Sequence, residues 1–366
     1  MFHSFYSGKR VLVTGHTGFK GSWLAEWLLM LGAEVHGYSL DPQPHEILFE
    51  QLGLGSRLAS DTRADLAESD RLAAKVSELR PDVVLHLAAQ PLVRLSYEIP
   101  LQTFATNVMG TAHLLEAVRC AKHSSTVVCV TTDKCYENRE WLHAYREEDA
   151  MGGHDPYSAS KGAAELVIAS YRKSYFDGKS PGRVASARAG NVIGGGDWGK
   201  DRIVPDCIRA IRRNEAIPVR NKIATRPWQH VLEPLSGYLW LAASLASAPQ
   251  SAVPSPLASA FNFGPALTSN KTVAELVREL LLHTGGSWLD ASDPHAVHEA
   301  SKLNLAIDKA FHLLHWQPVW SFAETLKQTA AWYLEEAAGA SPHELTLRQI
   351  HAYQQAAARR GLAWAV

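Results

Sequence analysis

Arg10-Val11-Leu12-Val13-Thr14 runs without a break into Gly15-His16-Thr17-Gly18-Phe19-Lys20-Gly21, and this stretch decides the fold. A β-branched apolar run that meets glycines and then a helix-period segment reads as strand, tight turn and helix. Glycines in the order G-x-x-G-x-x-G permit the turn, let the backbone approach a pyrophosphate, and let the helix pack closely on the strand. The first N–H groups of that helix have no partner within it and are suited to bind the anion. Gly15, Thr17, Gly18, Phe19, Lys20 and Gly21 are therefore expected around the phosphates of a dinucleotide. In the helix that follows, Trp23, Leu24, Trp27, Leu28 and Leu31 mark an apolar stripe over Ser22–Leu31.

Outward from this unit, further strands are expected at Glu34–Leu40, Val83–Ala88, Val127–Thr131 and Val184–Arg188, with helical stretches between them. Near-continuous apolar strands that alternate with helices form a parallel sheet covered on both faces. The fold class is thus α/β, a Rossmann-type doubly wound sheet over residues 1–190. A smaller C-terminal substrate-binding α/β lobe is expected over 191–366, of which 228–263 returns to the first domain. The second strand ends in Gly37-Tyr38-Ser39-Leu40-Asp41. By spacing, Ser39 stands where an acidic residue commonly grips the ribose hydroxyls. No Arg follows it to meet a 2′-phosphate, so NAD rather than NADP is expected. Ala246–Ser259 reads as a loose loop, and Glu344–Arg360 as a helix with Leu345, Leu347, Ile350 and Tyr353 as a weak stripe.

The chain has 366 residues, 36 basic against 37 acidic, so it lacks the basic excess of a nucleic-acid binder. No apolar run approaches the ~18 residues of a membrane span. Cys120, Cys129, Cys135 and Cys207 are too few and too scattered for a disulfide framework, which fits a cytoplasmic location. The 17 histidines form no ligand-spaced cluster, and no metal site is expected.

Tyr157-Ser158-Ala159-Ser160-Lys161 sets a Tyr and a Lys four apart on one helical face. A neighbouring ammonium and a positively charged nicotinamide both favour a phenolate, which takes the proton of an alcohol while hydride leaves the same carbon. Upstream, the strand Val127–Thr131 ends in Thr132-Asp133-Lys134. Ligand sites of open α/β sheets lie at the carboxyl ends of strands, so this triplet should face the cofactor cleft. Thr132 suits an orienting hydrogen bond to the substrate hydroxyl. Asp133 and Lys134 add an acid and a base, the pair that loss of water from carbon requires.

The G-x-x-G-x-x-G spacing is similar to that of the extended short-chain dehydrogenase/reductases that act on nucleotide sugars. With Thr132-Asp133-Lys134, Tyr157 and Lys161, the chain resembles their 4,6-dehydratases. Val13–Leu24, His86–Val93, Arg188–Trp198 and Arg226–Pro234 look like the CDP-glucose branch, and the likeness spans about residues 8–335. Ala306 departs from it, standing where relatives often have Asp after His298-Glu299-Ala300.

The resemblance implies conversion of CDP-glucose to a 4-keto-6-deoxy sugar nucleotide, with Lys134 as base at C5 and Asp133 protonating the departing C6 hydroxyl. It implies Asp65 and Leu66 at the adenine, Ala88 and Ala89 at the cofactor, and Gln90, Asn191, Arg202, Arg220 and Arg226 at the substrate. Trp228 and His230 are read as packing residues. It also implies a homodimer or homotetramer built on the helices near Asn107–Cys120 and Tyr157–Ser174. Leu114, Leu115, Val118, Leu166, Val167 and Ala169 are the expected apolar stripes. Competing readings are a UDP-N-acetylglucosamine dehydratase, a nucleotide-sugar epimerase and a non-catalytic NAD sensor.

Overall fold

In a computed structural model, residues 1–177, 181–199, 202–249, 255–292 and 303–366 are described. The string His298–Ala300 and residues 250–254 of the Ala/Ser/Pro stretch lie outside them. Seven strands form one parallel sheet: β1 (Arg10–Thr14), β2 (Glu34–Ser39), β3 (Ser60–Arg63), β4 (Val83–His86), β5 (Thr126–Val130), β6 (Arg183–Ala189) and β7 (Ala260–Phe263). Their spatial order is β7-β6-β5-β4-β1-β2-β3, the doubly wound arrangement whose direction reverses between β1 and β4. Val11, Leu12, Val13, Val83, Val84, Leu85, Val127 and Val128 are wholly buried, which explains the unbroken apolar runs.

The helices of ten residues or more are α1 (Phe19–Met30), α2 (Ser69–Leu79), α3 (Gly110–Ala121), α4 (Pro156–Tyr175), α5 (Ile203–Arg212), α6 (Leu232–Ser247), α7 (Val273–Thr284), α8 (Phe322–Ala337) and α9 (Pro342–Arg359). Helix α1 begins three residues before the apolar stripe suggested, because the glycine loop itself closes its first turn. Trp23, Leu24, Trp27 and Leu28 are buried, each such side chain contributing about 1.5–3 kcal/mol. Beyond β6, the described residues add helices α5 and α7 and three two-stranded pairs, Val192–Ile193 with Gln229–His230, Thr225–Pro227 with Asn270–Thr272, and Ile217–Val219 with Trp288–Asp290, whose apolar residues share one core with the sheet and α1.

The tail has a structural task. Tyr353 of α9 packs edge-on to Trp27 at 5.9 Å, and Trp364 stacks on Phe2 at 5.3 Å, so the C-terminus seals α1 and the N-terminus together. Beneath this aromatic layer Glu233 of α6 is fully buried. It accepts hydrogen bonds from Tyr353 Oη at 2.7 Å, Val319 N at 2.9 Å and Trp320 N at 2.7 Å.

Candidate active site

The loop after β1 lies where the sheet order reverses. Gly15 has φ of +75°, and a Cβ there would stand 2.7 Å from Ala88 N, so only glycine lets the β1 and β4 loops touch. A Cβ on Gly21 would strike the Gly15 carbonyl. Helix α1 is capped by Gly18 with no side-chain bond to its first amides. That leaves an anion site walled by backbone, a fit for a dinucleotide pyrophosphate. Thr17 Oγ1 lies 2.9 Å from Ser39 Oγ and 3.2 Å from Leu40 O, which brings the phosphate loop and the end of β2 together.

His16, between the two, points the other way. Its buried ring packs on Gly37 and hydrogen-bonds through Nε2 to Asp61 Oδ1 at 2.8 Å. Asp61 Oδ2 accepts from Arg63 Nη2 at 2.7 Å. Arg63 is the register partner of Ser39, so a guanidinium does stand beside the end of β2. It arrives from β3 rather than from the residues after Ser39, and Asp61 holds it. Asp65 turns one oxygen to its own loop, accepting from Ala67 N at 2.9 Å, while Leu66 is buried against Gly110.

Helix α4 presents the Tyr–Lys pair. Asp155 caps it, accepting from Ser158 N at 2.9 Å, and Pro156 occupies its first turn, so Tyr157 begins the helix at a fixed angle. Lys161 follows one turn later, and both are buried. Burial raises the Tyr157 phenol above its ordinary value, and a hydrogen bond with Thr132 opposes this only in part. The expectation of a phenolate is therefore not met by the chain's own groups, because desolvation outweighs the neighbouring positive charges. Burial lowers Lys161 to about 8, against the pull of Glu165.

At the end of β5, Thr132 Oγ1 donates to Asp133 Oδ1 at 2.9 Å, and Lys134 Nζ lies 3.4 Å from the same oxygen. Lys134 Nζ also donates to Asn191 Oδ1 at 3.3 Å. A Cβ on Gly190 would stand 2.7 Å from Asp133 Oδ2 and 3.5 Å from Pro227, so the strand carrying Arg226 borders the same cleft. Arg202 is held by Asp197, with Nη1 3.0 Å from both carboxylate oxygens, and its charge acts on Tyr157 and Lys20. Lys20 is lowered to about 8 by burial, with Arg202, Lys161 and Lys134 adding to the effect and Asp133 opposing it. Lys20, Lys134, Lys161 and Arg202 thus gather around this cleft, with Asp133 among them and Asp197 holding Arg202, a field suited to a substrate that carries phosphates.

One expected substrate residue is engaged by its own loop. The Gln90 amide is turned inward: Nε2 donates to Leu92 O at 3.1 Å and Thr103 Oγ1 at 2.9 Å, and Oε1 accepts from Leu92 N. It braces the β4 loop, because a buried amide must be satisfied locally. Arg220 is exposed and stands immediately after the strand Ile217–Val219. Trp228 and His230 are buried, as expected of packing residues.

Sequence reading missed several residues. Asn107 lies in a π-helical stretch, Ala105–Met109, and donates to Gln90 O at 3.1 Å and Ser160 Oγ at 2.8 Å, joining the β4 loop to α4. A π-turn has no composition signal. Glu165 and Arg188 form a buried ion pair at 2.9 Å behind Lys161. Here a signal exists, an acid four residues beyond Lys161 on the same helical face. Among the described residues no cluster of His, Cys, Asp and Glu could hold a metal ion, and no helix is long and apolar enough to cross a membrane.

The family model for GDP-mannose 4,6-dehydratase matches residues 12–329. The CDP-glucose 4,6-dehydratase of Salmonella typhimurium is 45% identical over 362 residues, 97% of this chain and 99% of that protein. A GDP-mannose 4,6-dehydratase of Vibrio cholerae is 32% identical over 46% of each chain. Among solved structures, UDP-glucose 4-epimerase of Thermotoga maritima superposes with TM-score 0.76 at 22% identity, covering 90% of this chain and 99% of that one. A dTDP-glucose 4,6-dehydratase from Streptomyces venezuelae, solved with NAD bound, gives 0.75 at 24% identity, covering 91% and 99%.

Proposed function

The chain belongs to the nucleotide-sugar 4,6-dehydratase family, and from that premise we propose that it removes water from CDP-glucose to give CDP-4-keto-6-deoxyglucose, using bound NAD. The observation that carries this reading is Asp133 and Lys134 side by side, opposite Tyr157, at the carboxyl end of β5. An epimerase has no use for that acid–base pair, and a mere sensor has no use for the buried Tyr157 and Lys161.

Gly15, Thr17, Gly18, Phe19, Lys20 and Gly21 hold the pyrophosphate of NAD, Thr17 and Ser39 its ribose, Asp65 and Leu66 its adenine, and Ala88, Ala89, Tyr157 and Lys161 its nicotinamide end. Bound there, NAD would supply a hydride acceptor for C4 of the sugar and a hydride donor for C6. Tyr157 Oη takes the C4 hydroxyl proton, and its phenol needs a further positive charge nearby, because the protein alone keeps it protonated. Thr132 orients that hydroxyl.

Lys134 and Asp133 act next. Passing one proton from Nζ to Oδ1, across their 3.4 Å contact, converts the ion pair into a neutral amine and a carboxylic acid. The amine removes the C5 proton, which the 4-ketone has acidified, and the acid protonates the departing C6 hydroxyl. Asn191 steadies Nζ. Arg202 and Arg226 neutralise the substrate diphosphate. The protein works in the cytoplasm, its four cysteines being free thiols, as a homodimer or homotetramer. Incubation with CDP-, UDP- and dTDP-glucose, followed by the alkaline absorbance of the 4-keto product, tests the assignment. CDP-glucose should have the highest kcat/KM, and a preference for another nucleotide would contradict it.

A further inference from the structure

One buried carboxylate touches every segment that supplies a reacting group. Glu165 Oε1 accepts from Thr131 Oγ1 at 2.5 Å, and Oε2 accepts from Ser186 Oγ at 2.8 Å and Arg188 Nη2 at 2.9 Å. Thr131 directly precedes Thr132. Arg188 donates from Nη1 to Tyr136 Oη at 2.7 Å, two residues beyond Lys134, and to Glu147 O at 2.9 Å. Arg188 is also three residues before Asn191, which meets Lys134. Glu165 itself stands one turn after Lys161 on α4, two turns after Tyr157.

We propose that Glu165 is a positioning residue for the dehydratase reaction: one helical turn from Lys161, its carboxylate fixes, through Thr131 and Arg188, the segments that carry Thr132 and Lys134. The proposal rests on the function assigned above. A buried ion pair is weak support for stability in itself, since apolar replacements of the same volume often do as well. A hub that joins three catalytic segments has a second use.

The charge argument requires the other groups around Lys161. Cys129 of β5 and Cys135 of the following loop are thiols pushed up by burial, Cys129 to about 12, and so carry no charge. His86 of β4 is lowered to about 3 by burial, with Lys161 adding to the effect, and is neutral. Lys20 of α1 is a cation and opposes the Lys161 charge. Burial opposes the negative charge of Glu165, but Arg188 and the three hydrogen bonds outweigh it, so it is ionised. Glu165 is the leading charged influence that keeps the proton on Lys161.

The test is the pH dependence of kcat on CDP-glucose, between pH 6 and 9.5, for the wild-type holoenzyme, Glu165→Gln and Glu165→Asp. Wild type should lose activity as Lys161 deprotonates at alkaline pH. Glu165→Gln should move that limb down by about one pH unit or more, the usual effect of a close opposite charge, with KM changed less than about threefold. Glu165→Asp should restore the limb. Should Glu165→Gln fail to fold because Arg188 is left unpaired, the double variant Glu165→Gln/Arg188→Gln removes both charges and should still move the limb down, by less than Glu165→Gln alone, because the lost Arg188 cation had opposed the Lys161 charge. A uniform loss of rate with an unmoved limb, or a wild-type rate flat to pH 9.5, overturns the proposal. If wild type makes no 4-keto product from CDP-glucose at any pH, the functional reading fails instead.

Discussion

Lys134 Nζ and Asp133 Oδ1 lie 3.4 Å apart at the mouth of β5, with Asp133 buried and the lysine partly open to the cleft. The acid and the base proposed for the water elimination are therefore adjacent residues, placed opposite the Tyr157 helix. The short turn that carries them, Asp133–Cys135, begins at Thr132, whose hydroxyl receives Lys134 N.

The division of labour has a kinetic consequence. Lys134→Met leaves Tyr157 and Lys161 intact, so adding CDP-glucose should produce an absorbance at 340 nm that persists, with no exchange of the C5 hydrogen in heavy water. Tyr157→Phe should suppress the 340 nm signal by about 2–4 orders of magnitude in rate. A Lys134→Met protein that releases the 4-keto product at wild-type rate would assign the base to another group.

Arg63 is the residue expected to bear on cofactor selection. Held by Asp61, its guanidinium is committed, and NAD should bind more tightly than NADP in a calorimetric titration. Asp61→Asn weakens that hold and removes a negative charge beside the ribose site, so the preference should narrow, by about tenfold for one charge-assisted hydrogen bond. An unchanged NAD/NADP ratio in Asp61→Asn would show that Arg63 does not face the ribose.

Assembly should use the outward faces of α3, α4 and the stretch before α3. Leu114, Leu115 and Val118 are buried inside the protomer, against α2 and the sheet, so they are not the interface residues their stripe suggested. Leu166 is 62% exposed, Met109 51% and Leu101 84%, and a second copy is the natural cover for them. Light scattering at micromolar concentration should find a dimer or tetramer, and Leu166→Glu should shift it toward monomer. A monomeric wild type contradicts the assignment.

Much of this was legible in sequence because it depends on neighbours along the chain. The strand cores, the glycine loop and the Tyr157–Lys161 pair are local patterns. Legibility ended where the third dimension decides. The α3 stripe declares an apolar face without saying whether α2 or another molecule covers it. Arg63 reaches Ser39 across a β2–β3 register that no spacing reveals, and Gln90 spends its amide on Leu92 and Thr103 because the β4 loop folds back. Ser39–Arg63 and Asn107–Ser160 are contacts between elements, each fixed by packing.

Stability should carry the mark of Glu233. Burial raises its carboxyl to about 7 despite three hydrogen bonds, whereas an unfolded Glu titrates near ~4.3. Between these values the native chain binds a proton that the unfolded chain does not, so stability falls as pH rises through the window, by roughly 4 kcal/mol in total. The Tm of wild type minus that of Glu233→Gln should therefore decrease from pH 4.5 to pH 7.5. A difference independent of pH would show that Glu233 is ionised throughout.

The proposed chemistry is tested most directly by CDP-glucose deuterated at C4. Purified protein should release CDP-4-keto-6-deoxyglucose lighter by one water, with the deuterium now on C6 and, in ordinary water, a solvent hydrogen at C5. Internal return of the same hydride to C6 requires that label. Product lacking deuterium at C6, or substrate recovered with its configuration changed at C4 and no water lost, would contradict it.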